Sequence, residues 1–323
     1  MIKVAIDAMG GDNAPEEVVK GVVSAVKKSQ DVQVFLVGRQ DVVEPMLKAS
    51  EFDTNKITVI NAAEVIEASD HPVQAIRTKK DSSMAVGMKM VHNGEADAFI
   101  SAGNSGALMV GAQVLVGREK GIDRAPFVCV LPHAKGTSLL LDAGANVDVR
   151  PEHIVTFAKL GTEYLEQSTG KKQPTVGLIN IGTEETKGNE LTKSAYELLK
   201  ADGDINFIGN VEPTGLTAGA ADILVCDGFT GNTIIKMYEG LGKLMLGTVK
   251  KSFKKSLMTK IGALLVKDSL KSELKPFDSH EYGGAPILGL KGLVMKTHGN
   301  AKEQEFTNTI LQCVEYLNNR RDI

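Results

Sequence analysis

Short apolar runs and amphipathic stretches alternate along almost the whole chain. Runs rich in β-branched residues at 2–7, 32–37, 57–61, 96–101, 126–131, 137–142, 174–180, 205–209, 221–226 and 292–297 predict strands. Most are followed by helical patterns, at 15–29, 104–117, 151–168, 189–201, 230–252 and 301–319. Strands that alternate with helices predict parallel pairing and right-handed crossovers. The runs are continuously apolar rather than alternating, as in strands covered on both faces. The fold class is therefore α/β with a mostly parallel sheet, and ligands are expected beyond the carboxyl ends of its strands.

At 323 residues the chain is long enough for two domains, or for one large α/β unit with two lobes around a cleft. The best junction is near Asp148-Val149-Arg150-Pro151, where proline opens a long helical pattern. A net charge of −3 excludes a general nucleic-acid binder, and the absence of Trp weakens any base-stacking reading. Cys129, Cys226 and Cys313 have no CxxC spacing, and the first two sit in apolar runs, so they are expected to be core thiols. The N-terminus begins as a strand, without the apolar core of a secretory signal, and no stretch is long enough to span a bilayer. A soluble cytoplasmic protein is expected.

Two strand-turn-helix segments resemble each other at an offset of 125 residues: Ala96–Ala107 and Ala221–Asn232. In each, a strand ends in Gly-x-Ser/Thr-Gly (Gly103, Ser105, Gly106; Gly228, Thr230, Gly231) and opens into a helix. Such a corner aims free N–H groups, a hydroxyl and the positive helix end at one spot, which suits an anion. Ser105 and Thr230 can equally be plain N-caps. Neither segment is a GxGxxG or GxxxxGK motif, and the stretch around Ser105 lacks the last glycine of a hydrolase elbow.

Other loops share that placement. Gly10, Gly11 and Asp12 follow the first strand, with Asp12 or Asn13 available as a helix cap. Asp142 and Asn146 flank a glycine turn after the 137–142 run, and Lys187 and Asn189 lie in the loop after 174–180. A lysine there is ordinarily a solvated charge; pointed into the crevice it is a counter-ion for phosphate. His298 leaves the last strand and is the histidine best placed for proton transfer, with a surface or capping role equally open. The six histidines show no metal-ligand spacing, so neither a metal nor another cofactor is expected.

The segment 250–284 breaks the strand-helix rhythm and is expected to protrude as a basic amphipathic helix. Leu257, Ile261, Leu264 and Leu265 mark its apolar face, with Lys254 and Lys267 among the lysines of the other. That pattern fits an interfacial helix on anionic lipid, a basic dock for an acidic partner, or both.

Taken together, Asp7-Ala8-Met9-Gly10-Gly11-Asp12, Ser101–Ala107, Asp142–Asn146, Asn180–Asn189, Asp227–Asn232 and Gly283–Gly289, in that order, resemble the bacterial phosphate acyltransferase family PlsX. The resemblance runs from the first strand to Asn300. It implies an α/β/α sandwich like that of phosphotransacetylases and isocitrate dehydrogenases. It also implies reversible transfer of a long-chain acyl group from acyl carrier protein to inorganic phosphate. The acyl phosphate would feed a glycerol-3-phosphate acyltransferase, and the enzyme would be a homodimer bound peripherally to the cytoplasmic face of the membrane. On this reading Asn104, Ser105, Lys187, Asp227, Asn232 and His298 are the candidate catalytic residues. Gly10, Gly11, Asp12, Gly103, Gly106, Asp142, Asn146, Asn189, Gly228, Thr230 and Gly231 are the candidates for binding phosphate or the oxyanion. A coenzyme A-dependent phosphotransacetylase and a non-catalytic anion-binding protein are the competing classes.

Overall fold

The structure is a computed structural model describing residues 1–50, 55–274 and 283–321. Its first part runs β1 (Ile2–Asp7), α1 (Glu16–Lys28), β2 (Val32–Gly38), α2 (Gln40–Lys48), β3 (Ile57–Asn61), α3 (Pro72–Thr78), α4 (Ser83–His92), β4 (Ala98–Ser101) and α5 (Ser105–Gly111). A π-helical turn, Ala112–Val116, continues α5. Then come β5 (Cys129–His133), β6 (Gly136–Leu141), α6 (Pro151–Thr169), β7 (Val176–Ile179), α7 (Glu190–Ala201), β8 (Phe207–Val211), α8 (Pro213–Ala218) and β9 (Ile223–Val225). The chain ends with α9 (Gly228–Phe253), α10 (Leu257–Leu274), β10 (Ala285–Ile287), β11 (Leu293–Lys296) and α11 (Glu303–Arg321).

The strands form two sheets, β10-β11-β4-β1-β2-β3 and β5-β6-β9-β7-β8, each parallel except for one edge strand. Every residue of β4 and β7 is buried, which is why their sequences are apolar up to Ser101 at the end of β4. Two departures from the sequence expectation have simple causes. Strands β5 and β6 pair antiparallel because only two residues separate them, too few for a crossover. Strand β10 is only three residues long, too short for a readable apolar run. Helices α2, α3, α4 and α8 are likewise absent from the sequence pattern; all four have ten residues or fewer.

The chain passes from the first sheet to the second through residues 102–128 and returns through 226–284. Residues 148–151 lie between two strands of the second sheet, where Pro151 opens α6. One apolar core joins the sheets: Ile2 and Val4 of β1, Leu141 of β6 and Val225 of β9 belong to a single cluster with Phe157 on α6 and Phe306 and Ile310 on α11. Helices α1 and α11 approach closely at Gly21, where any Cβ would lie 2.5 Å from that of Phe306. Cys226 and Cys313 are core thiols, and Cys129 is half-buried against the core; burial pushes Cys129 up to about 12 and the other two well above the ordinary thiol range.

Helices α9 and α10 depart from this body as a hairpin. No residue of α10 is buried, and Leu257, Met258, Leu264 and Leu265 are each more than 70% exposed. The expected protruding basic segment is thus present as far as Leu274; residues 275–282 of it lie outside the described residues. No described helix is long and apolar enough to cross a membrane.

Phe157 is fully buried where the two sheets share their core. Phe157→Ala should cost about 3–5 kcal/mol of stability, read as a lowered urea midpoint with an unchanged slope.

Candidate active site

Parallel strands of one sheet share a direction, so their carboxyl ends form one edge. In the first sheet β1 and β4 are neighbours from which the chain runs to opposite sides, the switch point at which a crevice opens. Asp7, the last residue of β1, is buried there. It accepts hydrogen bonds from Ser83 Oγ at 2.6 Å, Ser101 Oγ at 2.7 Å and Met9 N–H at 3.1 Å. Burial raises its carboxyl above the usual range, while these donors lower it. Ser101 Oγ in turn accepts from Gly103 N–H at 3.0 Å. Gly10 packs so closely that a Cβ would lie 2.9 Å from Gly103 N, and Asp12 N–H reaches Gly299 O at 2.7 Å. Gly10, Gly11, Asp12, Gly103 and the 298–300 turn therefore form one corner.

The second sheet repeats the device. Asp142, just past β6, is fully buried and accepts from the N–H groups of Phe127, Gly144, Ala145 and Asn146 and from Asn146 Nδ2. Burial raises its carboxyl too, against the pull of those bonds. With its oxygens occupied, Asp142 braces the turn rather than facing a ligand. The start of α9 rests on that turn. Gly228 N–H donates to Asn146 O at 2.8 Å, a Cβ on Gly231 would meet Asp142 O at 1.9 Å, and Gly144 faces Asn232 Cβ.

Beyond the ends of β7 and β9 lies a cavity of about 510 Å³ between the starts of α7 and α9. Its polar lining is Asn180, Asn189, Thr192, Asp227, Thr230 and Thr233; Ile154, Leu178, Leu191 and Phe229 are among its apolar residues. Asn180 is held by Lys187 O and Asn210, so its loop is fixed from below. The two helix starts differ in charge. At α9 the cap is Asp227, which accepts from Thr230 N–H and Oγ at 2.8 Å and sets a carboxylate against the positive helix end. At α7 the cap is Asn189, neutral and bonded to Thr192 N–H, with exposed Lys187 two residues before it. An anion is better received at α7.

The sequence repeat is out of step in three dimensions. The caps are Asn104 and Asp227, not Ser105 and Thr230, so the second helix begins two residues earlier in the alignment. Asn104 accepts from Ala107 N–H, and its amide donates to the carbonyls of Glu67, Ala68 and Asp70, anchoring that loop. Ser105 is exposed, and Gly106 packs against Pro72. His298 is exposed, and its N–H donates to the buried Glu305. The cavity lining includes none of Gly10, Gly11, Asp12, Gly103, Asn104, Ser105, Gly106 or His298, which belong to the first sheet's corner.

A sequence model of the family described as fatty acid synthesis protein matches residues 2–321. The chain belongs to this family. A phosphate acyltransferase of Clostridium acetobutylicum is 48% identical over 317 residues, covering 98% of this chain and 96% of that protein. One from Clostridium novyi is 45% identical over 318 residues, with 98% and 96% covered. Among solved structures, a phosphotransacetylase from Streptococcus pyogenes superposes with a TM-score of 0.64 at 15% identity, covering 98% of this chain and 94% of that one. At that identity the likeness shows a shared fold.

Lys296 is a residue that the strand pattern passed over. It ends β11, is half-buried, and donates to Thr297 O and to Ala102 O beside the first corner. A lysine closing a strand covered on both faces was the available signal. Burial pulls its ammonium down to about 8, opposed by Glu305, Asp7 and Asp12. Between pH 8 and 10.5 the unfolded chain holds this proton and the folded one does not, so stability gains with rising pH. Relative to Lys296→Met, this family member should gain up to about 1.4 kcal/mol per pH unit across that window, measured by urea unfolding.

Proposed function

We propose that this protein transfers a long-chain acyl group from the thioester of acyl carrier protein to inorganic phosphate. The observation that carries the reading is the cavity between the starts of α7 and α9, polar at the caps and apolar beyond, in a chain 48% identical to a phosphate acyltransferase. The apolar lining suits the acyl chain. Lys187, two residues before the α7 cap, and the first N–H groups of α7 suit phosphate, with the thioester carbonyl set against the opposite wall at Thr230. A phosphate oxygen attacks the carbonyl carbon, the C–S bond breaks, and the proton of hydrogen phosphate ends on the carrier protein's thiol. Phosphate needs little activation and a thiolate leaves readily, so positioning supplies most of the rate. No step needs a cofactor or an acyl-enzyme.

The α9–α10 hairpin supports two further contacts. Met237, Leu241, Leu244 and Met245 recur at helical spacing on α9 and are half or more exposed, which suits pairing with a second copy of the chain. Leu257, Ile261, Leu264 and Leu265, flanked by Lys254 and Lys267, suit the cytoplasmic surface of an anionic membrane. Acyl phosphate made there would be consumed by a glycerol-3-phosphate acyltransferase.

Palmitoyl–acyl carrier protein should release thiol and form hydroxylamine-trappable acyl phosphate only when phosphate is present. Equal turnover with a coenzyme A thioester would favour a phosphotransacetylase instead, and phosphate binding without thiol release a plain binding protein. Lys187→Met should lower kcat/KM for phosphate by about 10- to 100-fold, the worth of one hydrogen bond to a charged group. Replacing Leu264 and Leu265 by Glu should abolish co-sedimentation with anionic vesicles and leave turnover of the soluble substrate within about twofold. Unchanged co-sedimentation would count against the lipid contact.

A further inference from the structure

A second cavity, of about 540 Å³, lies in the first-sheet half between α3, α4 and the α5–π turn, and nothing in the proposed reaction uses it. Its floor is the buried pair Ile76 and Ala85, and its walls include Val73, Val114 and Leu115. Val73 and Val114 are 55% and 70% exposed, large apolar side chains left in water beside a concave surface. The lining also carries Arg77, Lys80 and Lys89 and no acid. All three are exposed, and none makes an ion pair with a described residue. Lys89 Nζ donates to the backbone carbonyl of Lys80, which holds that ammonium near the end of α3 without neutralising it. Asp81, the nearest acid in sequence, accepts instead from Ala63 N–H. In a chain whose acids outnumber its cations, three unneutralised cations around one apolar hollow single out a ligand with an anionic head and an apolar tail.

We propose that this cavity binds a single-chain acyl amphiphile with a phosphate head, the chemical class of the product named above. The volume lies within the ordinary range for small-molecule sites, and a concave hollow suits one free chain better than a bilayer surface. The site also adjoins the helix that leads away from the first corner: Val110 on α5 lines it, and Pro72, at the start of α3, packs on Gly106 at the start of α5. A ligand seated here bears on the helix whose other end carries that corner. The proposal takes its ligand class from the proposed reaction, but binding is measured without turnover, so either can fail alone.

The test is photolabelling with a dodecyl phosphate bearing a diazirine, below its critical micelle concentration, with adducts mapped by mass spectrometry. Adducts are expected within 73–89 and 110–115, displaced by unlabelled dodecyl phosphate and not by dodecyltrimethylammonium. The triple variant Arg77→Gln, Lys80→Gln, Lys89→Gln and the single variant Val114→Glu change exposed positions and should each cut labelling at least tenfold with circular dichroism unchanged. Adducts confined to the cavity beside Asp227, labelling indifferent to these variants, or equal displacement by the cationic amphiphile would overturn the proposal. Protection by acyl carrier protein but not by dodecyl phosphate would overturn it in favour of a protein dock.

Discussion

A chain leaving a sheet that is covered on both faces must turn with its peptide groups still out of water, and every N–H in that turn needs an acceptor. In this protein the acceptor is a carboxylate set at the exit of a strand. Asp7 does this after β1 and Asp142 after β6, each fully or almost fully buried and each gathering serine hydroxyls or backbone N–H groups. The two sheets thus carry the same device at their carboxyl ends. Burial works against the charge of both, and the donors around them offset that cost.

Fixed turns permit the close approaches that follow. Gly10 lies on Gly103, and Gly228 and Gly231 lie on the Asp142–Asn146 turn at separations that admit no side chain. The glycines recur at these corners because backbone meets backbone there. Helix caps then decide the sign of each corner. A carboxylate at the start of α9 and an amide at the start of α7 make two outwardly similar helix ends unequal towards an anion.

The rest of the surface divides the same way between braced and open parts. The corners and the shared core around Phe157 are densely bonded, whereas the α9–α10 hairpin leaves most of its apolar residues in water. A face of that kind lowers its free energy by being covered, so rigid corners and an open hairpin suit different tasks.

Periodicity in the sequence determined the α/β class, nearly all the strands and the exposed amphipathic helical segment after Lys250, because burial on both faces or on one stripe writes itself into residue order. The short elements, β10 and α8 among them, left too little pattern to read. The loops beyond the strand ends were also legible, since a parallel sheet places them all along one edge. What each loop residue does was decided only by tertiary structure. Asn104 is spent on the 67–70 loop, Asp142 on its own turn, and Lys296 beside the first corner, because hydrogen-bond partners distant in sequence exist only once the chain has folded.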